Sequence, residues 1–310
     1  MRLSVPTDIQ SDIETAERLE WWTLFWLSTI VLFMGLTMGS SQAMRTALYE
    51  DVLSFLPAIV FLVASKYEGK MATPKFPYGF LRVNSLAFMA AALALVAMGG
   101  FLFINSAISL FKQEHPSISI VHILGQEIWQ GWLMIAALFY STIAPVILGH
   151  MKLPIARRLN DKVLITDALM QKADWTTGAA GVAGIVGIAL GLWWADAAAA
   201  LFISFGILRD GVRQLRAATA ELVDGAPRAL EKNDLAEDAV ALKKVLEKHF
   251  PGTVIRMRET GRYIVVHIEG SRPPEPMPPL AFYWPTGQDK AWRFAALSFE
   301  VGEGDNNHEF

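Results

Sequence analysis

The sequence predicts a membrane protein: an all-α bundle of six transmembrane helices followed by a small cytoplasmic α+β C-terminal domain. Three observations carry this prediction. Apolar residues make up 53% of the 310 residues and charged residues only 18%, whereas a soluble domain carries about 25% charged residues. Uncharged stretches of twenty or more residues recur along the first two thirds of the chain, and roughly 20 apolar helical residues cross a bilayer core. From about Ala217 these stretches give way to a charged, turn-rich tail.

The first span is Trp21–Ser40, which has no charge. The second is shorter in apolar residues. Val52–Ser65 is uncharged, and it reaches spanning length by starting near Thr46 and taking Glu50 and Asp51 into the membrane. Val83–Phe111 and Ile128–Gly149 are the third and fourth spans, both uncharged. Trp175–Leu208 carries one charge, Asp196, and is too long for one span but too short for two. A turn at Gly191–Trp194 divides it, with the tryptophan pair at an interface. The fifth helix then starts near Lys162, and the sixth runs to about Leu215.

Lysine and arginine mark the cytoplasmic side of membrane helices. Lys66, Lys70, Lys75 and Arg82 lie in one loop, Lys152, Arg157, Arg158 and Lys162 in another, and Arg209, Arg213 and Arg216 follow the sixth span. The opposite loops hold little but Arg45 and Lys112. Both termini are therefore expected in the cytoplasm, with the protein in an inner (plasma) membrane. The expected division is a cytoplasmic segment over 1–19, the six-span domain over 20–216 and the cytoplasmic domain over 217–310. The first twenty residues lack a cleavage pattern, so the first span is expected to remain as an uncleaved anchor.

In the tail, Leu230–Phe250 has spaced apolar positions (Leu235, Val240, Leu242, Val245, Leu246, Phe250) and reads as an amphipathic helix ended by Pro251-Gly252. Val254–Arg258 and Tyr263–Glu269 read as strands joined by a turn over 259–262. Six prolines within Ser271–Pro285 impose a loop, and Trp292–Val301 is a third strand. A domain of this size is marginal alone and gains from dimerisation.

The formal net charge is −3, too balanced for a nucleic-acid binder. With no cysteine there is no disulfide frame and no thiolate chemistry. No nucleophile–base pair, phosphate loop or histidine cluster points to an enzyme, and no cofactor is implied. What stands out is ionisable residues inside spans: Glu50 and Asp51 on the second helix, and Asp167, Lys172 and Asp174 on the fifth. Such residues are costly, face the bundle interior and signal function. Lys172 reads either as the partner of Glu50 or Asp51 or as a side chain reaching back to the interface. Gly178, Gly181, Gly184 and Gly187 form a small-residue stripe suited to close helix packing. Asp196 reads as a helix cap, and His249 and His267 as surface residues that a regulatory metal would also suit.

Six spans, acids on the second and fifth and an α-β-β tail resemble the cation diffusion facilitator family. The second helix, over Ser41–Ser54, lies where that family has Asp-Ala-Leu-His-Ser-Leu-x-Asp. Phe76-Pro77-Tyr78-Gly79 with Arg82 resembles its His-Pro-Tyr-Gly-x-x-Arg motif. Thr166-Asp167-Ala168-Leu169 with Asp174 resembles its fifth-helix run, Ala-Asp-Ala-Leu-His-x-x-x-Asp. Trp193-Trp194-Ala195-Asp196 resembles the start of its sixth helix. The resemblance covers roughly residues 20 to 270. The family's usual final helix, after the third strand, has no counterpart here; the proline tract and Phe282–Trp284 stand in its place.

The resemblance implies a homodimeric secondary transporter that exports a divalent cation in exchange for protons, the cation being substrate rather than cofactor. Its metal ligands carry over to Glu50, Ser54, Met170 and Asp174, with Asp51, Asp167 and Lys172 as possible accessory residues. Residues i and i+4 share a helix face, so Glu50/Ser54 and Met170/Asp174 would form facing pairs. Zinc favours nitrogen and sulfur ligands; carboxylates and a hydroxyl suit magnesium or manganese, and the Met170 sulfur leaves iron or cobalt open. A second reading is a non-transporting membrane scaffold or sensor whose cation site Lys172 neutralises.

Overall fold

The structure, a computed structural model, describes residues 6–68, 70, 72–113, 118, 120–123, 126–230, 234–286 and 289–301. Helix α1 covers Thr7–Thr37. It begins well before the uncharged stretch, so the expected N-terminal segment is continuous with the first span. Its polar first turns are held by the bundle: Asp12 takes a two-pronged ion pair from Arg158 at 2.7 Å.

The second apolar segment is divided into α2 (Gln42–Leu53) and α3 (Phe55–Glu68). Pro57 is the cause, because it has no N–H for the Leu53 carbonyl and its ring crowds that carbonyl. The Ser54 amide still reaches the Glu50 carbonyl at 3.0 Å, so the two pieces continue as one bent segment. Helix α4 is Val83–Phe111, the predicted third span. Between α4 and the next helix lies an antiparallel pair, β1 (Ile120–Ile123) and β2 (Gln126–Trp129), which the apolar pattern did not foresee.

Helix α5 therefore starts at Gln130 instead of Ile128, and it runs to Leu159. The basic loop expected from Lys152 onward is helical. The connection to α6 (Lys162–Ala189) is only Asn160, at φ 50, and Asp161, whose carboxylate caps α6 by accepting the Leu164 amide at 2.9 Å. After a turn through Gly191, α7 covers Ala195–Leu222, two turns beyond the expected end.

Among the described residues four segments are long and apolar enough to cross a membrane: Thr7–Thr37, Gln42–Glu68, Val83–Phe111 and Gln130–Leu159. The charged α6 and α7 pack in the same bundle, α6 along α5 and α7 along α4. The glycine stripe makes this contact close. A Cβ at Gly181 would lie 2.8 Å from Leu138 of α5, and one at Gly184 3.0 Å from Ala199 of α7. Asp196 is a cap, though not of its own helix: fully buried, it accepts the Ser41 hydroxyl at 2.6 Å and the Gln42 amide at 2.5 Å at the start of α2.

The tail holds α8 (Glu237–His249), β3 (Val254–Thr260), β4 (Tyr263–Glu269) and β5 (Phe294–Glu300). Strand β4 is central, antiparallel to β3 and parallel to β5. Ala239, Leu242, Leu246 and Phe250 bury the inner face of the helical segment against Ile264, Val266 and Ile268. Leu235 and Val240, expected on that face, are exposed, and part of the expected start, 231–233, lies outside the described residues. Tyr283 and Trp284 enter the same core from the proline-rich loop.

The two-residue turn of the β3–β4 hairpin seats the tail on the bundle. Gly261 has φ 59, and a Cβ there would lie 2.7 Å from the Leu81 carbonyl, so only glycine permits this approach. Its amide donates to Ser85 Oγ and Glu221 Oε1. Arg262, 2% exposed, pairs with Glu68 at 2.9 Å and Asp161 at 3.0 Å. Lys162 bridges Glu221 and Glu259 at 2.9 and 2.6 Å, and Arg293 pairs with Glu259 and Asp238. Burial pushes the Glu259 carboxyl above the usual carboxylate range, and Lys162 pulls it back. Buried charges persist when each has such a partner.

Candidate cation site

The bend in the second segment presents Glu50 and Asp51 to the bundle interior just before Ser54. Helix α6 brings Asp174 and, one turn on, Thr177; α5 brings Ser141. Together with Ala47, Leu138 and Gly178 they line one small cavity. Ala47 and Gly178 are small enough to leave it open, and its free volume of about 10 Å³ is that of one water-sized sphere. Three carboxylates and the hydroxyls of Thr177 and Ser141 line it, the Ser141 hydroxyl also donating to the Leu138 carbonyl at 3.0 Å, and among the described residues no basic side chain does. Thr177 Oγ1 donates to Glu50 Oε1 at 3.4 Å, while Glu50 Oε2 is buried with no hydrogen-bond partner. A buried carboxylate oxygen without a donor is costly, and a cation in the cavity would offset that cost.

The structure brings together Glu50, Asp51 and Asp174 of the sequence-derived set and separates the others. Ser54 Oγ turns back to the Glu50 carbonyl at 3.0 Å, satisfied within its own helix. Met170 faces α7, where its sulfur accepts from Gln214 Nε2 at 3.6 Å and it packs beside Leu53, Leu95 and Ile207. Ser54 keeps its helical place one turn on from Glu50, its amide bonded to the Glu50 carbonyl at 3.0 Å, but its hydroxyl is spent on that same carbonyl and it does not line the cavity. Asp167 is committed to Lys152 and Gln171, at 2.6 and 3.0 Å. Lys172 is exposed and does not line the cavity, so it partners neither Glu50 nor Asp51 there.

Sequence reasoning missed Thr177 and Ser141. Thr177 had a signal, since it lies at i+3 from Asp174; Ser141 had none within an uncharged stretch. In the tail, His267, Glu269 and Glu300 come together on β4 and β5 with ligand atoms within 4.8 Å of one another. Glu269 is already paired with Arg256 at 2.6 Å. His249 is separate, and packs on Phe282 and Tyr283.

Residues 22–223 match the family model described as the cation efflux transmembrane domain. The chain belongs to the cation efflux family. A probable cation efflux system protein of Mycobacterium tuberculosis is 27% identical over 217 residues, 70% of this chain and 61% of that relative. The cation-efflux pump FieF of Salmonella arizonae is 25% identical over 239 residues, 74% of this chain and 72% of that protein. The chain thus spans less than two thirds of the mycobacterial relative's length. With four apolar spans and a cation efflux domain, it is a multi-pass membrane protein. The relatives are transporters by name, and none is named as an enzyme.

Proposed function

We propose that the protein exports a divalent metal cation from the cytoplasm, in exchange for protons, and that the cation binds in the cavity between α2, α5 and α6. The observation that carries this reading is the convergence of Glu50, Asp51 and Asp174 on a cavity of single-ion size without a counter-cation. Glu50, Asp51 and Asp174 are the proposed ligands, with the Thr177 and Ser141 oxygens completing the set. An all-oxygen site favours hard cations such as manganese and magnesium over zinc, and Met170 no longer argues for a soft one. Carboxylates that release a cation when protonated make exchange against protons the natural coupling. Lys172 stays outside the cavity, which removes the motive for reading the site as neutralised.

On this reading α6 and α7 are spans five and six, over a domain of about residues 20 to 216. The tail from 217 faces the cytoplasm, as do both termini, and the protein works as a homodimer in an inner membrane. The seat of the tail against Lys162, Arg82 and Glu68 supports putting that end of the bundle on the basic, cytoplasmic side.

The test is cation uptake into proteoliposomes under an imposed proton gradient, with Mn²⁺, Mg²⁺, Fe²⁺, Co²⁺ and Zn²⁺ offered in turn. Uptake of Mn²⁺ or Mg²⁺ that Asp174→Ala abolishes supports the reading. Undiminished uptake by both Asp174→Ala and Glu50→Ala refutes it.

A further inference from the structure

Seven residues along α6 from Asp174 lies a second buried polar cluster, which the cation site does not use. Lys152 of α5 donates to Glu20 Oε2 of α1 at 2.8 Å and to Asp167 Oδ2 of α6 at 2.6 Å. Gln171 Nε2 donates to the same Asp167 oxygen at 3.0 Å. Glu20 and Lys152 are fully buried, and Asp167 and Gln171 are 1% exposed. From the sequence alone Lys152 reads as a loop base and Glu20 as the residue next to the uncharged first span.

The cluster is not a satisfied ion pair. Two carboxylates share one ammonium, which leaves a net negative charge in a medium that penalises it. Two acceptors, Glu20 Oε1 and Gln171 Oε1, are buried with no donor among the described residues. The missing component is one positive charge that also donates a hydrogen bond, and a proton is both. The geometry says which carboxylate takes it. Asp167 Oδ2 accepts from both Lys152 and Gln171, which stabilises the ionised form; Glu20 accepts once and has a bare oxygen. The charged groups facing Glu20 are Asp167 from α6 and Lys152 from α5. From α3, Ser65 reaches only as far as Glu17, one turn earlier.

We propose that Glu20, Lys152, Asp167 and Gln171 form a proton-binding site, in which Glu20 carries the exchanged proton and Lys152 and Asp167 position it. This inference rests on the exchange reading above and deepens it. An O–H bond forms at Glu20 Oε1 when the cluster takes a proton, and breaks when that proton leaves to the cytoplasmic side; the cluster alternates between net zero and net −1. Asp167, Gln171 and Asp174 follow at i, i+4 and i+7 on one face of α6, which puts the cluster about 10 Å along the helix axis from the cation cavity. Across about 10 Å of bundle interior a charge in either site acts on the other. A dication in the cavity therefore disfavours the proton on Glu20, and the proton disfavours the dication, which is the antagonism an exchanger needs.

The test uses the full chain in proteoliposomes, with an internal pH dye and the first of Mn²⁺, Mg²⁺, Fe²⁺, Co²⁺ or Zn²⁺ that the parent takes up. Glu20→Gln lowers the proton counterflux, and with it the cation uptake that an imposed pH gradient drives, at least tenfold. Infrared difference spectra on cation addition show protonated-carboxyl bands lost in the parent, and one of these, the Glu20 band, is missing from the change in Glu20→Gln while those of the cavity carboxylates remain. Parent-like counterflux in Glu20→Gln overturns the proposal. A variant that fails to transport is judged by the infrared bands alone: a parent-like change overturns the proposal, and one that lacks the Glu20 band supports it. A parent that takes up cation without moving protons refutes the exchange reading itself, and this inference with it.

Discussion

Removing the arginine at the hairpin tip should release the tail from the bundle. In Arg262→Ala, Glu68 and Asp161 keep their burial but lose the guanidinium that both face, at 2.9 and 3.0 Å. Arg262 is 2% exposed and its partners' side chains 9% and 0%, so solvent cannot take its place in the seated state. Removing one member of a buried ion pair costs about 3–5 kcal/mol, which at 1.4 kcal/mol per tenfold is a hundredfold or greater change in the seating equilibrium. The Gly261 amide reports this directly, because its acceptors, Ser85 Oγ and Glu221 Oε1, belong to the membrane helices. Its hydrogen exchange in detergent-solubilised protein should accelerate at least a hundredfold, while amides inside the β3–β4 ladder change little. The triple change Glu68→Gln, Asp161→Asn and Arg262→Met removes all three charges and should restore most of the protection. Exchange at Gly261 within threefold of the parent in Arg262→Ala would refute the reasoning that this ion pair holds the tail in place.

Other outcomes follow from the same structure. Glu50→Gln or Asp174→Asn should reduce cation uptake in proteoliposomes more than tenfold, while Ser54→Ala and Met170→Leu stay within about twofold, because neither side chain faces the cavity. Asp196→Ala strips the buried cap from the start of α2 and leaves Ser41 and the Gln42 amide without their acceptor, at a cost of about 1–3 kcal/mol; a lowered thermal midpoint in detergent checks this. Gly181→Leu forces apart α5 and α6, where even a Cβ would meet Leu138 at 2.8 Å; it should lower the thermal midpoint by several degrees and reduce uptake, whereas Gly100→Ala, facing open space, should do neither.

The sequence by itself determined the membrane class, the extent of α4, the split between α6 and α7, the three tail strands and the presence of acids on the second and fifth apolar segments. These depend on local quantities: runs of apolar residues, turn-forming glycine and proline, and the cost of charge in hydrocarbon. Tertiary structure decided which polar side chains face one another. Helical spacing paired Ser54 with Glu50 and Met170 with Asp174, but the Ser54 hydroxyl is taken up by the Glu50 carbonyl and the Met170 sulfur by Gln214 of α7, and Asp51, Ser141 and Thr177 line the cavity instead. Lys172 reads from the sequence either as the partner of Glu50 or Asp51 or as a side chain reaching back to the interface, and its exposure leaves the second. Lys152 reads as a loop base, yet it is fully buried between Glu20 and Asp167. A charge's cost depends on what surrounds it, and those surroundings are contributed by helices more than a hundred residues apart in the chain, which no window along one segment contains.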